Sequence, residues 1–339
     1  MLQLIQHIIR ISSKRDRTEV NTALVDTMED LFAPHAFAIY RCFPATKETI
    51  VFRCAGLDAG GRFSHNAYLP DRRFCLPIEH DPLLLRCQSG RSLVRDRLAD
   101  GSDRLVFPVI AQNQPIYLID IVLPADFPTD RRGLLMGLVE YFGHHLALLD
   151  YGEADTLTGL ANRKTFEKHL FEVLGRATDD AGTTGAHCQR RRRHRAENHW
   201  LGVCDIDHFK RVNDSHGHLA GDSALVMFSQ LMRESFRYDD QLFRFGGEEF
   251  IAVLQPADRS DVQQVFERFR RSVEAYEFSG VGRITVSVGY CQLLPHDTPP
   301  AIIDRADAAL YWAKQNGRNR VACYDALIQT GQLPGKASG

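Results

Sequence analysis

The run Arg244-Phe245-Gly246-Gly247-Glu248-Glu249-Phe250 decides how the C-terminal half of this 339-residue chain reads. Two glycines between the arms Leu242 to Phe245 and Glu249 to Leu254 predict a β-hairpin turning at Gly246-Gly247, because glycine tolerates the positive φ of a two-residue turn. A tip without side chains lets the backbone approach a nucleotide closely, and Glu248 and Glu249 set two carboxylates beside it. Adjacent buried acids raise each other's pKa unless a cation neutralises them. A solvated hairpin with incidental acids is the alternative, so the run alone leaves the chemistry open.

Upstream, the apolar run Trp200 to Ile206 predicts a strand leading into Asp205 and Asp207, whose carboxylates, two residues apart, would leave the same face of a sheet. Such a pair suits a hard divalent cation, since Mg²⁺ takes oxygen ligands and shares them with substrate phosphates. It equally suits a strand end that caps the following turn. Around these lie predicted helices Arg163 to Arg176, Asp222 to Phe236, Ser260 to Tyr276 and Ala301 to Asn316, with strands Ile284 to Tyr290 and Asn319 to Tyr324. The alternation implies an α+β domain with a central, mostly antiparallel sheet flanked by helices. Asp222 follows Gly221 where a helix is expected to start, a position that also suits an N-cap. Lys314 and Arg318 straddle Gly317, the expected C-terminal glycine of the last long helix, where cations also favour the helix dipole. The polar, Gly-containing residues after Asp325 read as a frayed tail.

In the N-terminal half, apolar residues at helical spacing (Leu2, Ile5, Ile8, Ile9; then Val20, Leu24, Met28, Leu31, Phe32) precede β-like runs at Ala36 to Phe43 and Thr49 to Ala55, with Gly56 closing the second. A helix at Pro82 to Gln88 and a hairpin of Arg104 to Ile110 with Ile116 to Leu123 follow. From Asp130 to Asp150 a stripe through Leu134 or Leu135, Leu138, Tyr141 or Phe142, His145 or Leu146, and Leu149 predicts a linker helix. That stripe suits either packing onto one domain or a coiled coil between two chains. The division is 1–128 for an N-terminal domain, 129–153 for the linker, 154–326 for a C-terminal domain and 327–339 for a flexible tail.

Composition narrows the function classes. A formal net charge of -2 with 25% charged residues leaves no broad basic field for nucleic acid; the basic run Arg190 to Arg193 with Arg195 reads as a solvated loop. The eight cysteines are scattered without zinc-type spacing, which fits reduced thiols in a cytoplasm. No stretch is long and apolar enough for direct membrane insertion. His35, His65 and His80 read as ordinary surface or core histidines.

The hairpin run resembles the signature of GGDEF domains, the diguanylate cyclases, in its GGEEF form. The resemblance extends through Asp155-Thr156-Leu157-Thr158-Gly159-Leu160-Ala161-Asn162-Arg163 and Asp205-Ile206-Asp207-His208-Phe209-Lys210-Arg211-Val212-Asn213-Asp214. It continues through Gly217-His218-Leu219-Ala220-Gly221-Asp222 to Ala313-Lys314-Gln315-Asn316-Gly317-Arg318-Asn319. It implies a palm-like nucleotidyl cyclase that condenses two GTP into cyclic di-GMP and two pyrophosphates. Two Mg²⁺ ions per site, with Mn²⁺ as a substitute, would be held by Asp205, Glu248, Glu249 and the Ile206 carbonyl, with Asp205, Glu248 and Glu249 catalytic. Asn213 and Asp222 would read guanine. Lys210, Lys314 and Arg318 would hold phosphates, with His208, Phe209, Gly246 and Gly247 lining the substrate site. Arg237 and Asp240, as an RxxD pair, together with Arg268, would bind the product as an inhibitor. The two-fold symmetry of the product implies a homodimer. The stretch between Asn162 and Asp205 is longer than the family's usual one. The N-terminal order of elements resembles a GAF-type sensory domain, whose ligand or partner stays unknown.

Overall fold

Among the described residues, seven strands pair antiparallel in the N-terminal half because their residues alternate between two apolar cores. The strands are β1 (Ala36–Pro44), β2 (Thr49–Asp58), β3 (Gly61–Ser64), β4 (Cys75–Pro77), β5 (Val94–Arg97), β6 (Asp103–Ala111) and β7 (Gln114–Leu123). They lie in the order β3-β2-β1-β7-β6-β5, with β4 also on β2. The computed structural model describes residues 2–44, 49–66, 70, 72–111, 113–179, 199–255, 257–294 and 297–334. The chain divides into two compact units, Met1–Gly152 and Glu153–Gly339. The basic run Arg190 to Arg195 lies outside the described residues.

In the first unit, Phe37, Ile39, Phe52, Cys54, Ile119 and Ile121 point to one face, where they form a core with α1 (Leu2–Ser12), α2 (Arg17–Phe32) and α4 (Thr129–Glu153). Cys42, Val51, Val106 and Leu118 point to the other and pack on α3 (Pro82–Gly90). Asp16 and Asp81 cap α2 and α3 by accepting from backbone N–H groups of the first turn. β2 does not stop at Gly56. The strand runs through it because a side chain there would meet the Phe37 carbonyl oxygen at 2.2 Å, so glycine permits close pairing instead of ending the run. The stripe Leu135, Leu138, Val139, Phe142 and Leu146 of α4 is buried in this unit's core, while Leu134, Leu148 and Tyr151 are exposed. Of the two readings of this stripe, packing onto one domain describes its buried residues, and the first unit runs to Gly152.

The second unit holds β8 (Ala161–Asn162), α5 (Arg163–Asp179), β9 (Trp200–Ile206), α6 (Phe209–His216), α7 (His218–Ser235), β10 (Gln241–Gly246), β11 (Glu249–Leu254), α8 (Arg259–Ala275), β12 (Val286–Gln292), α9 (Pro299–Gln315), β13 (Val321–Cys323) and α10 (Tyr324–Gln329). Its sheet runs β13-β12-β9-β11-β10-β8, antiparallel apart from the outer pairs β12/β13 and β10/β8. Every residue of β9 is buried, as a central strand covered on both faces requires. Its core gathers Phe228, Phe236, Phe250, Phe266, Phe269 and Tyr290. The expected frayed tail after Asp325 is corrected in its first part: α10 forms there because Leu327 packs among Ala309, Ala313 and Ala322, whose small side chains leave room for it.

Candidate active site

Asp205 stands one residue from the end of β9, with Glu249 directly opposite on β11 and Ser287 opposite on β12. Ile206, the last residue of β9, pairs with Val286. The hairpin closes on the pair Gly246 and Glu249, so its two loop residues are Gly247 and Glu248 rather than the expected Gly246 and Gly247. Only Gly247 takes a positive φ there, +52°. The cause is a register shift between Arg244 and Gly246 that displaces Phe245; its ring packs edge-on to Phe166 at 5.6 Å, with the Arg163 guanidinium over it at 4.5 Å. Glu248 is thereby carried to the tip, and Glu249 becomes the first strand residue.

Arg244 braces this tip. Its Nε and Nη2 donate to the Gly247 carbonyl at 3.1 and 2.9 Å, and its Nη1 donates to both oxygens of Asp155 at 3.1 and 3.2 Å. Asp155 also accepts from the backbone and hydroxyl of Thr158. Burial opposes the Asp155 charge, but the Thr158 hydrogen bonds and the Arg244 guanidinium outweigh it and hold the carboxyl below its ordinary range. Both residues open motif runs in the sequence, but neither had a role there, because the brace joins residues 89 positions apart.

The electrostatics of the acids follow from burial. Asp205 is 6% exposed, and burial raises its pKa above the ordinary carboxylate value, although Lys314 Nζ sits 2.8 Å from its Oδ1 and acts the other way. Glu248 is also raised, first by burial and then by the charges of Asp205 and Glu249. Asp307, on α9, is raised by burial and by Glu249, which places a further acid in the field of this site that the sequence reading did not single out. Among the described residues no three acids or histidines are already gathered around a common point. The donor chemistry nevertheless fits a hard cation: Asp205, Glu248 and Glu249 offer oxygen alone, and their mutual repulsion is what a divalent ion relieves.

Of the two readings of the Asp205 and Asp207 pair, the structural one describes Asp207. β9 ends at Ile206, and the buried Asp207 carboxylate accepts from Thr285 Oγ1 and Ser287 Oγ, each at 2.7 Å, and from the Asn319 backbone N–H at 3.0 Å. Three of its about four acceptor sites are used inside the fold, unlike those of Asp205, which pairs with Lys314.

α6 and α7 meet at Gly217, whose φ is +81° and whose N–H donates to the Asn213 carbonyl at 2.9 Å. The expected helix start at Asp222 is corrected too: α7 begins at His218, so Asp222 lies exposed one turn inside it and is no N-cap. Gly221 faces Asn213 so closely that a Cβ there would fall 2.0 Å from the amide Oδ1. His208 and Lys210 are exposed at the entry to α6, His208 with φ +59°. Phe209 is buried in the core, backing Gly221. Gly246 and Gly247 are exposed at the hairpin.

Past Lys314 the chain makes three successive left-handed residues, Gly317, Arg318 and Asn319, at φ +111°, +59° and +45°. For the two non-glycine residues this costs about 1–2 kcal/mol each, so neighbouring contacts must hold them. Arg318 is exposed there.

Of the residues expected to bind product, Arg237 and Arg268 are exposed and Asp240 is buried. Asp240 accepts from the backbone N–H groups of Arg237 at 2.9 Å and Gln255 at 3.1 Å, and burial pushes its carboxyl up to about 6. Arg268 Nη2 donates to the Ser235 carbonyl. Arg237 and Asp240 thus share one turn, and Arg268 reaches the end of α7 just before it.

Residues 153–320 match the family described as "Diguanylate cyclase, GGDEF domain". The chain is 37% identical over 170 residues to the diguanylate cyclase DgcP of Pseudomonas aeruginosa, covering 49% of this chain and 23% of that protein. It is 32% identical over 225 residues to the diguanylate cyclase DgcM of Escherichia coli K12, covering 66% of this chain and 49% of that protein. A crystal structure of the coiled coil and GGDEF domain of DgcB from Caulobacter crescentus, in complex with c-di-GMP, has 29% identity and a TM-score of 0.48, covering 57% of this chain and 97% of that one. The second unit of the chain is a GGDEF domain. The chain spans less than half the length of either curated relative.

Proposed function

We propose that the chain is a diguanylate cyclase that condenses two GTP into cyclic di-GMP and two pyrophosphates. The observation that carries this reading is the cross-strand placement of Asp205 and Glu249 beside a hairpin tip of Gly247 and Glu248, with Asp205 and Glu248 both raised by burial. Asp205, Glu248, Glu249 and the Ile206 carbonyl would hold two Mg²⁺, for which Mn²⁺ can substitute. Such ions supply charge stabilisation on the attacking and leaving oxygens of an in-line displacement. The residues themselves bind and orient. Lys314, Lys210 and Arg318 take the triphosphate; Asp222 accepts from the guanine N1 and N2 hydrogens; and the Asn213 amide donates and accepts beside it. Glu249 would assist metal binding or accept the 3′-hydroxyl proton. Each 3′-oxygen attacks the α-phosphorus of the other GTP, its bond to pyrophosphate breaks, and two such steps close the ring.

Because each unit would hold one GTP, a homodimer is part of the reading. The first unit, a GAF-like sensory layer with α4 as its last helix, would regulate the encounter of the two sites in response to a ligand or partner of unknown chemistry. Arg237, Asp240 and Arg268 would bind cyclic di-GMP as an inhibitor, and the protein would act in the cytoplasm. No helix among the described residues is long and apolar enough to cross a membrane. Incubating the full chain with GTP and Mg²⁺ and identifying the product by mass tests the reading. Cyclic di-GMP formed with release of two pyrophosphates is the expected result. Tight binding of added cyclic di-GMP, with no product under Mg²⁺ or Mn²⁺, would replace the enzyme with a receptor.

A further inference from the structure

The second acid of the Asp205-Ile206-Asp207 run has no place in the chemistry above, yet its carboxylate is buried with three donors around it. Two of them, the Thr285 and Ser287 hydroxyls, fix it to the entry of β12. The third is the backbone N–H of Asn319, the last of the three left-handed residues after α9. Asn319 is held on its other sides as well: its Oδ1 accepts from Arg270 Nη1 at 2.7 Å and its Nδ2 donates to Glu274 Oε1 at 2.7 Å. Arg318 sits between Gly317 and this clamp, with its own N–H donating to the Ala313 carbonyl at 3.0 Å and its side chain exposed. A turn that is unfavourable for arginine and asparagine persists only where its surroundings over-determine it. Here the buried carboxylate of Asp207 ties that turn to the chain two residues beyond Asp205.

We propose that Asp207 is a positioning residue for the triphosphate: by anchoring Asn319 it holds Arg318 in the left-handed conformation that aims the guanidinium at the substrate phosphates. The inference rests on the cyclase reading for the role of Arg318, while the anchor itself is a feature of the fold. The donors around Asp207 all come from the fold itself. Asp207 acts through the backbone, and its loss should mimic the loss of Arg318.

The test compares Asp207→Asn, Thr285→Val, Arg318→Ala and the double variant Asp207→Asn/Arg318→Ala in the full chain. GTP affinity is read both from KM and by direct calorimetric binding. Thr285→Val removes a single hydrogen bond and keeps the volume, so it remains informative if Asp207→Asn folds poorly. Loss of one charge-assisted phosphate contact weakens GTP binding about tenfold. Asp207→Asn is expected to approach that figure and Thr285→Val to move the same way by a smaller factor. In the Arg318→Ala background the Asp207 change should add less than about twofold, since residues acting as one unit are not additive. The half-saturating Mg²⁺ concentration should stay as in the wild type. Fully additive losses, unchanged GTP affinity in both single variants, or a shifted Mg²⁺ requirement would each overturn the proposal. If the wild-type chain forms no cyclic product, the cyclase reading fails by itself, and the calorimetric comparison still decides the role of Asp207.

Discussion

The two sheets of this chain treat their buried charges in opposite ways. On the N-terminal sheet, Arg104 bridges Asp120 at 2.7 Å and Asp81, the cap of α3, at 2.6 Å. Arg17, 1% exposed, donates to Tyr117 at 2.6 Å and Asp150 at 2.7 Å, which ties α2 to β7 and α4. Asp103 is shared by Arg95 and Arg132. Each of these acids has its cation inside the fold, although burial still raises Asp120 above its ordinary value. At the end of β9, by contrast, Asp205 pairs with Lys314 while Glu248 lies in the same electrostatic field, and both acids are pushed toward protonation. An internally neutralised network holds a sheet together. A cluster left short of positive charge sacrifices stability and waits for a ligand that carries it.

The sharpest break of that comparison is Asp205→Asn. It should lower cyclic di-GMP formation by about 10³-fold or more, the scale of losing a metal clamp on a phosphoryl transfer, while urea unfolding of the second unit stays unchanged or strengthens because a repelled buried charge is gone. A loss of activity matched by unfolding would place Asp205 with the structural acids instead.

Next comes Arg104→Met. It should destabilise the first unit by about 2–3 kcal/mol, somewhat below the value for a fully buried pair because the three side chains keep partial solvent access, as Asp120 and Asp81 lose their shared partner. Chemical denaturation followed in the first unit checks this, and a change under 1 kcal/mol would remove the contrast from the N-terminal side.

Adding Mg²⁺ sharpens the comparison further. At a hundredfold excess over its Kd it should stabilise the second unit by about 2.7 kcal/mol and leave the first unmoved. The pH dependence follows from the raised pKa values of Asp205 and Glu248. Without metal, a folded pKa above the unfolded one contributes stability at low pH that is lost as pH rises through the folded value. With Mg²⁺ the sign reverses, because only the ionised carboxylates bind it, so the metal-induced rise in Tm should grow with pH from the acidic side. Calorimetric scans with and without chelator measure both; a metal effect independent of pH would remove these two acids from the site.

The smallest expected effect is that of Gly221→Ala. A methyl group there meets the Asn213 amide, so GTP affinity should fall about tenfold through a displaced base reader, with little change in the rate at saturation. Measuring KM and kcat separately decides it, and a loss confined to kcat would mean that Asn213 does not read the base.

Much of this could be read directly from the chain. The apolar run Trp200 to Ile206 is the strand observed, the hairpin has its glycines, and the long helices lie within a few residues of their periodic patterns. These are local signals, carried by side-chain alternation and by glycine. What escaped were decisions made by distant residues. The hairpin tip moved by one residue because Phe245 packs on Phe166, and α7 began four residues early at His218. α10 formed because alanines on α9 made room for Leu327. The stripe on α4 was legible as a stripe, but only the N-terminal core shows where it is buried.

By itself, the order of motifs along the sequence determined which family the second unit belongs to and which residue types could meet a nucleotide and a metal, because those chemical demands are written in side chains at fixed spacing. Only the tertiary structure shows what surrounds each carboxylate. The family resemblance puts Asp205 and not Asp207 among the metal ligands, and the fold gives them different surroundings because β9 ends between them. One then faces Glu249 across the sheet, and the other is enclosed by hydroxyls and a backbone N–H from residues 78 to 112 positions away.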